Sequence, residues 1–159
     1  MTRLISLLTL LFLSQLLLTQ CQQSEPSQDT ATAMGDEESV DMAAPSGTME
    51  EKVDTWIANN DYDAALEWLG TQDETDPDVK QQLEKVWLNY GYHSMNVFDP
   101  AEMRTQMNWA LTCFAEVLTL NEQNEAARGQ IDQILGVYAT MPDRGPDPDV
   151  MDRLAPFGY

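Results

Sequence analysis

Histidine 93 and cysteine 113 are the residue types most able to do chemistry in this chain, and each stands alone. His93 is the single histidine, which excludes H-E-x-x-H and any multi-histidine zinc site. Cys113 lies between Thr112 and Phe114 in an apolar pattern with helical spacing, where a thiol acts as a small buried hydrophobe. Its only candidate base would be His93, one helix earlier. No glycine-rich phosphate loop is present, because every glycine is isolated. Carboxylates are abundant. Asp73, Asp76 and Asp78 bunch together, as do Asp143, Asp147, Asp149 and Asp152. Neither group has the calcium-loop order with a central glycine and a terminal glutamate, so helix capping and solvation account for them. The expectation is a non-enzymatic protein with no cofactor and no metal. An enzyme acting through paired carboxylates is the alternative from another class.

Charge narrows the partners. The chain has 159 residues, with 27 Asp plus Glu against 8 Lys plus Arg, for a formal net charge of −19. No two basic residues are adjacent, so nucleic acid is not an expected ligand. The acidity fits a solvated, self-repelling surface or attraction to a basic partner.

The chain opens Met1-Thr2-Arg3 and runs leucine-rich from Leu4 to Leu18. That is the charged start and short apolar core of a signal peptide, expected over residues 1–20. Leu18-Thr19-Gln20-Cys21 resembles the lipobox of bacterial lipoproteins, with Leu18 and Cys21 on the pattern and Gln20 where the family has a small residue. The resemblance implies acylation at Cys21, whose several acyl chains would form an effectively permanent anchor. Gln22, not Asp, follows the cysteine, so the implied destination is the outer membrane, facing the periplasm.

From Cys21 to Gly47 the sequence has six acidic residues, no Lys or Arg, no aromatic ring and many Ser, Thr, Ala and Pro. It is expected to be a disordered acidic tether over 21–47. Such a coil would hold a domain on the order of 25 to 30 Å from the lipid.

Residues 48–140 are expected to form an all-α domain of about five helices. Thr48-Met49-Glu50-Glu51 is a capping-box start for a helix through Asn59 with Val53, Trp56 and Ile57 as its stripe. Asp61 opens a second, burying Tyr62, Ala65, Leu66 and Leu69 before Gly70. Asp76-Pro77 starts a third, carrying Val79, Leu83, Val86, Trp87 and Tyr90 and ending near Ser94. Asp99-Pro100-Ala101-Glu102 repeats that start signal, and Met103, Met107, Ala110, Leu111, Phe114, Val117 and Leu118 continue one stripe. A fifth helix begins near Asn124 and presents Ala127, Ile131, Ile134, Leu135 and Tyr138. Nothing alternates at period two. Residues 141–159 read as a proline-rich tail with one helical turn around Asp149 to Leu154, and with Phe157 and Tyr159 able to dock. Among the tryptophans, Trp56 and Trp87 fall on apolar stripes, and one of Trp68 and Trp109 is expected to be exposed as an interface anchor.

Asn60-Asp61-Tyr62-Asp63-Ala64-Ala65 resembles the helix-joining turn of a tetratricopeptide repeat, and Pro77 falls where that family closes the repeat. Ala110, Phe114 and Val117, followed by Leu120-Asn121-Glu122-Gln123-Asn124, resemble a looser second copy. The resemblance spans about residues 46–138. It implies two helical hairpins plus a capping helix, and a partner-binding groove lined by the first helix of each hairpin. On this sequence the implied groove residues are Glu50, Asp54, Gln81, Glu84 and Leu88, which would make it acidic and suited to a basic or extended peptide. Two repeats fall short of the three or so that stacked units need, so a homodimer would supply the missing neighbour. The function expected is a scaffold or binding lipoprotein of the cell envelope, anchored to the membrane by lipid, whose partner is an envelope protein or peptide. A pilotin-type accessory of an envelope machine is a further alternative.

Overall fold

Local capping decides where most of the helices begin. In the computed structural model, which describes residues 44–96 and 99–159, Thr48 Oγ1 accepts the Glu51 N–H at 3.3 Å while Glu51 Oε2 accepts the Thr48 N–H at 2.8 Å. This reciprocal box opens α1, Met49–Asn59. The expected signal peptide, Cys21 and the tether as far as residue 43 lie outside the described residues.

Asn60 ends α1 in the left-handed region at φ 62. Its N–H bonds to the Ile57 carbonyl at 3.1 Å and that of Asp61 to the Trp56 carbonyl at 2.9 Å, a Schellman closure that turns the chain at once into α2, Tyr62–Leu69. The side chain of Asp61 makes no cap bond, contrary to the sequence expectation. The tight closure of α1 positions the start of α2 without it.

Asp76 Oδ1 accepts the Asp78 N–H at 2.8 Å at the head of α3, Pro77–Asn96. A second departure comes at α4, which runs Met103–Leu120 and starts at Glu102 with no side-chain cap. Asp99 instead closes a tight turn, accepting the Ala101 N–H on its side chain at 2.9 Å and the Glu102 N–H on its carbonyl at 3.1 Å. Those bonds span two and three residues, so the Asp-Pro signal marks a turn and the four-residue helical ladder begins only at Glu102.

Asn124 Oδ1 caps α5, Glu125–Ala139, by accepting the Ala127 N–H at 2.8 Å. The single turn expected near Asp149 is a two-turn helix, α6, Pro148–Leu154, continued by a 3-10 turn over Ala155–Phe157. The described residues are all-helical, with six α-helices and no strand.

α1 packs on α2 and α3, α2 on α3, and α3 makes its most extensive interface with α4, which also carries α5 and α6. The apolar stripes build two clusters. Val53, Trp56, Tyr62, Ala65, Leu69, Val79 and Val86 form the first. The second gathers α4, α5 and α6 around Phe114, Leu118, Ile131 and Leu154, with Phe157 and Tyr159 packed against it. The long α3 spans both, since Val79 and Val86 belong to the first while Trp87 and Leu88 lean on the second.

Where α3 crosses α4, Gly91 is buried against the Phe114 ring, and a Cβ there would stand 2.5 Å from Cε1 and 2.7 Å from Cζ. The C-terminal segment is held by polar ties as well. Asn108, buried in α4, donates to Asp147 Oδ2 at 2.7 Å and accepts the Asp147 N–H at 3.1 Å, while Arg104 pairs with the same carboxylate. Arg153 meets Glu116 at 3.2 Å, and Arg128 donates to the Phe157 carbonyl at 3.2 Å.

Candidate functional site

Burial of Val53 and Trp56 against the first core turns the opposite face of α1 outward, and that face carries Glu50 and Asp54, four residues apart. Likewise Val79 and Val86 orient α3 so that Gln81, Lys85 and Leu88 follow one another at spacings of four and three toward α1. Between the two helices lies an open cavity of about 490 Å³ lined by Glu50, Gln81, Gln82, Glu84, Lys85, Leu88 and Asn89. Four of the five groove residues selected from sequence line it. The fifth, Asp54, reaches the same place through Lys85, whose ammonium lies 2.5 Å from Asp54 Oδ1 and 4.0 Å from Glu50 Oε1.

The electrostatics differ from the acidic groove that the sequence suggested. Glu84 is not free, because its Oε1 accepts from Asn121 Nδ2 at 3.0 Å and from Asn124 Nδ2 at 2.7 Å, which ties α3 to the α4–α5 turn. Asp54 is paired. Lys85 sits in the middle with its side chain 35% exposed. Glu50 keeps the most open carboxylate, 70% exposed, with only the longer contact to Lys85. Leu88 lines the cavity and is also half-buried against the second core, so part of its role is packing.

Gln82, Lys85 and Asn89 were not among the residues selected from sequence. Lys85 shares a helix face with Gln81 and Leu88, and its partners Asp54 and Glu50 stand on α1, where no pattern within α3 announces them. Gln82 carried a signal of its own, a polar residue on the Val79–Val86 stripe. It is 7% exposed, and its Oε1 has no hydrogen-bond partner among the described residues. Asn89 Nδ2 donates to the Lys85 carbonyl at 2.8 Å.

A second cavity, about 440 Å³, lies among Ala115, Glu116, Leu118, Arg153, Pro156 and Phe157. Its charged walls answer one another through the Arg153–Glu116 pair. No family model, no curated protein and no solved structure matches the chain.

The reactive side chains lie apart from both cavities. Cys113 is fully buried, and desolvation, helped by the nearby Glu116 charge, pushes its thiol up to about 12. The His93 ring leans on Tyr62 with centroids 5.4 Å apart, in an aromatic row where Tyr62 stacks on Tyr90 at 4.6 Å and Trp109 meets Tyr90 edge-on at 5.4 Å. Among the described residues no group of three or more His, Cys, Asp or Glu gathers as metal ligands. The first acidic bunch caps turns: Asp73 Oδ1 accepts both the N–H and the hydroxyl of Thr75, at 2.9 and 2.7 Å. These two bonds hold the Asp73 carboxyl below its usual range. Of the two flanking tryptophans, Trp68 is half-buried, tilted against Trp56 and covered by the Lys52 ammonium, whereas Trp109 is 39% exposed.

Proposed function

We propose that this chain is a non-enzymatic binding protein of the bacterial cell envelope, lipid-anchored through Cys21, that holds a partner segment in the groove between α1 and α3. The observation that carries the reading is the convergence of Glu50, Gln81, Glu84 and Leu88, residues selected by repeat position alone, on one open cavity. A tetratricopeptide-like use of the first helix in each hairpin accounts for it, and the packing of α1 on both α2 and α3 is consistent with stacked hairpins. The groove is mixed in character, with apolar Leu88, amide side chains and a surplus carboxylate at Glu50, which suits an extended peptide better than a small metabolite.

The test is a crosslinking pulldown of the full chain from its own cells, with wild type, Cys21→Ser and Glu50→Lys compared and the mature N-terminus weighed by mass spectrometry. The expected result is an acylated N-terminus and one envelope protein that wild type recovers. Glu50→Lys should lose that protein, while Glu67→Lys on the exposed face of α2 should retain it. Recovery indifferent to Glu50, with an unmodified Cys21, would reject the proposal.

A further inference from the structure

Among the described residues Lys85 is the one basic side chain lining the α1–α3 cavity, and its position resembles that of a ligand more than that of a structural residue. Its ammonium lies 2.5 Å from Asp54 and 4.0 Å from Glu50, two carboxylates whose side chains are 53% and 70% exposed. Exposed pairs of this kind add little to stability, and the helices are already joined by apolar burial of Val53, Trp56 and Val86. The pair therefore does little to hold α1 on α3. It occupies the acids of the groove instead.

We infer that Lys85 is an internal competitor for the groove: it pairs with Asp54 and stands at the edge of the open Glu50 carboxylate until a lysine or arginine of a partner segment displaces it, so the ligand class is an extended basic peptide. The inference rests on the proposed binding role of the same groove and adds which charge the partner brings and what it must displace. A second observation points the same way. Gln82, 93% buried by its 7% exposure and set in the wall beside Lys85, keeps a carbonyl oxygen with no donor. An unanswered acceptor dipole favours positive charge nearby over negative. The neighbouring Glu84 takes no part in the exchange, because Asn121 and Asn124 already donate to its Oε1. Displacement requires no change of fold, since all three charged side chains reach solvent.

The experiment uses the full 159-residue chain and two capped octapeptides, one alternating lysine with leucine and one alternating glutamate with leucine, with binding read by fluorescence anisotropy at low salt. Lys85→Gln frees Asp54 and takes the neighbouring cation away from Glu50, and should tighten the lysine peptide roughly three- to tenfold. Lys85→Arg keeps the competitor and should match wild type. The gain should disappear in molar salt, where screening is nearly complete. If wild type binds the lysine peptide and Lys85→Gln binds it no better, Lys85 is not a competitor and the groove reading survives without it. If the glutamate peptide binds better than the lysine peptide, the assigned ligand charge is wrong. If no form binds either peptide, both this inference and the proposed groove function fall.

Discussion

The crossing of α3 over α4 makes a sharp prediction about glycine. Alanine is favoured over glycine inside a helix by about 1 kcal/mol, so Gly→Ala stabilises wherever the new methyl meets nothing. Gly136 in α5 is such a position, where the added Cβ meets nothing among the described residues within 4 Å apart from its own stretch of helix. Gly91 is the opposite case. Its Cβ would lie 2.5 and 2.7 Å from two atoms of the Phe114 ring, about 1 Å inside ordinary carbon contact. That ring is fully buried, so relief requires moving α3 away from α4, and overpacking of this kind costs about 1 to 3 kcal/mol. Set against the propensity gain, Gly91→Ala should lose about 2 kcal/mol at worst and gain nothing at best, while Gly136→Ala gains about 0.5 to 1. At roughly 4 °C per kcal/mol for a domain of this size, the two variants should separate by several degrees in thermal unfolding followed by far-UV circular dichroism. Adding Phe114→Leu should recover part of the Gly91→Ala loss, since the two residues are in direct contact. Equal stabilisation by both alanine variants would show that the helices do not meet as described.

Three further outcomes are expected. Asn60 holds a left-handed conformation at φ 62, so Asn60→Gly should raise stability in urea unfolding by about 0.5 kcal/mol and Asn60→Ala should lower it by about 1. Glu84→Ala strands the Asn121 and Asn124 amides; it should cost about 1 to 2 kcal/mol and speed amide exchange at the start of α5, with Glu84→Gln losing less. The Cys113 thiol, held up to about 12 by burial, binds its proton more tightly folded than unfolded. Its contribution is therefore full below the unfolded value near ~8.5 and is lost as pH rises toward the folded one. Stability should fall with alkaline pH, less steeply in Cys113→Ala, and a disulfide reagent should label the native thiol only after denaturation; labelling at pH 8 without denaturant contradicts the burial.

Helix identity was legible because it is local. Thr48 with Glu51, Asp76 with Pro77 and Asn124 announce their helices within four residues, and the capping bonds follow. The apolar stripes were legible for the same reason, with Val53, Trp56, Val86, Phe114 and Ile131 all buried. Asp99-Pro100 misleads because a tight turn and a helix start share a first residue, and only the span of the backbone bond, three residues or four, separates them. The charge state of the groove was less legible still. A helical face can be read from one segment, but Glu84 finds its partners 37 and 40 residues away, in the α4–α5 turn. Lys85 finds its partners on a different helix. Repeat position along α1 and α3 implies an acidic groove; long-range pairing leaves Glu50 as its one largely open carboxylate among the described residues.

That division of labour makes the groove testable by substitution. The side chains behind it, Val53 and Val86, are fully excluded from solvent and belong to a core that the groove charges do not support. Exposed ion pairs contribute at most about 1 kcal/mol, whereas each buried aliphatic residue contributes about 1.5 to 3, so the wall keeps its shape when Glu50, Asp54 or Lys85 is changed. A binding change produced at those three positions then reports on the ligand. A change at Leu88 or Glu84 does not, because Leu88 is shared with the second core and Glu84 with the α4–α5 turn. The groove is thus best probed from its α1 side and at Lys85, where charge can be reversed while the helices stay in place.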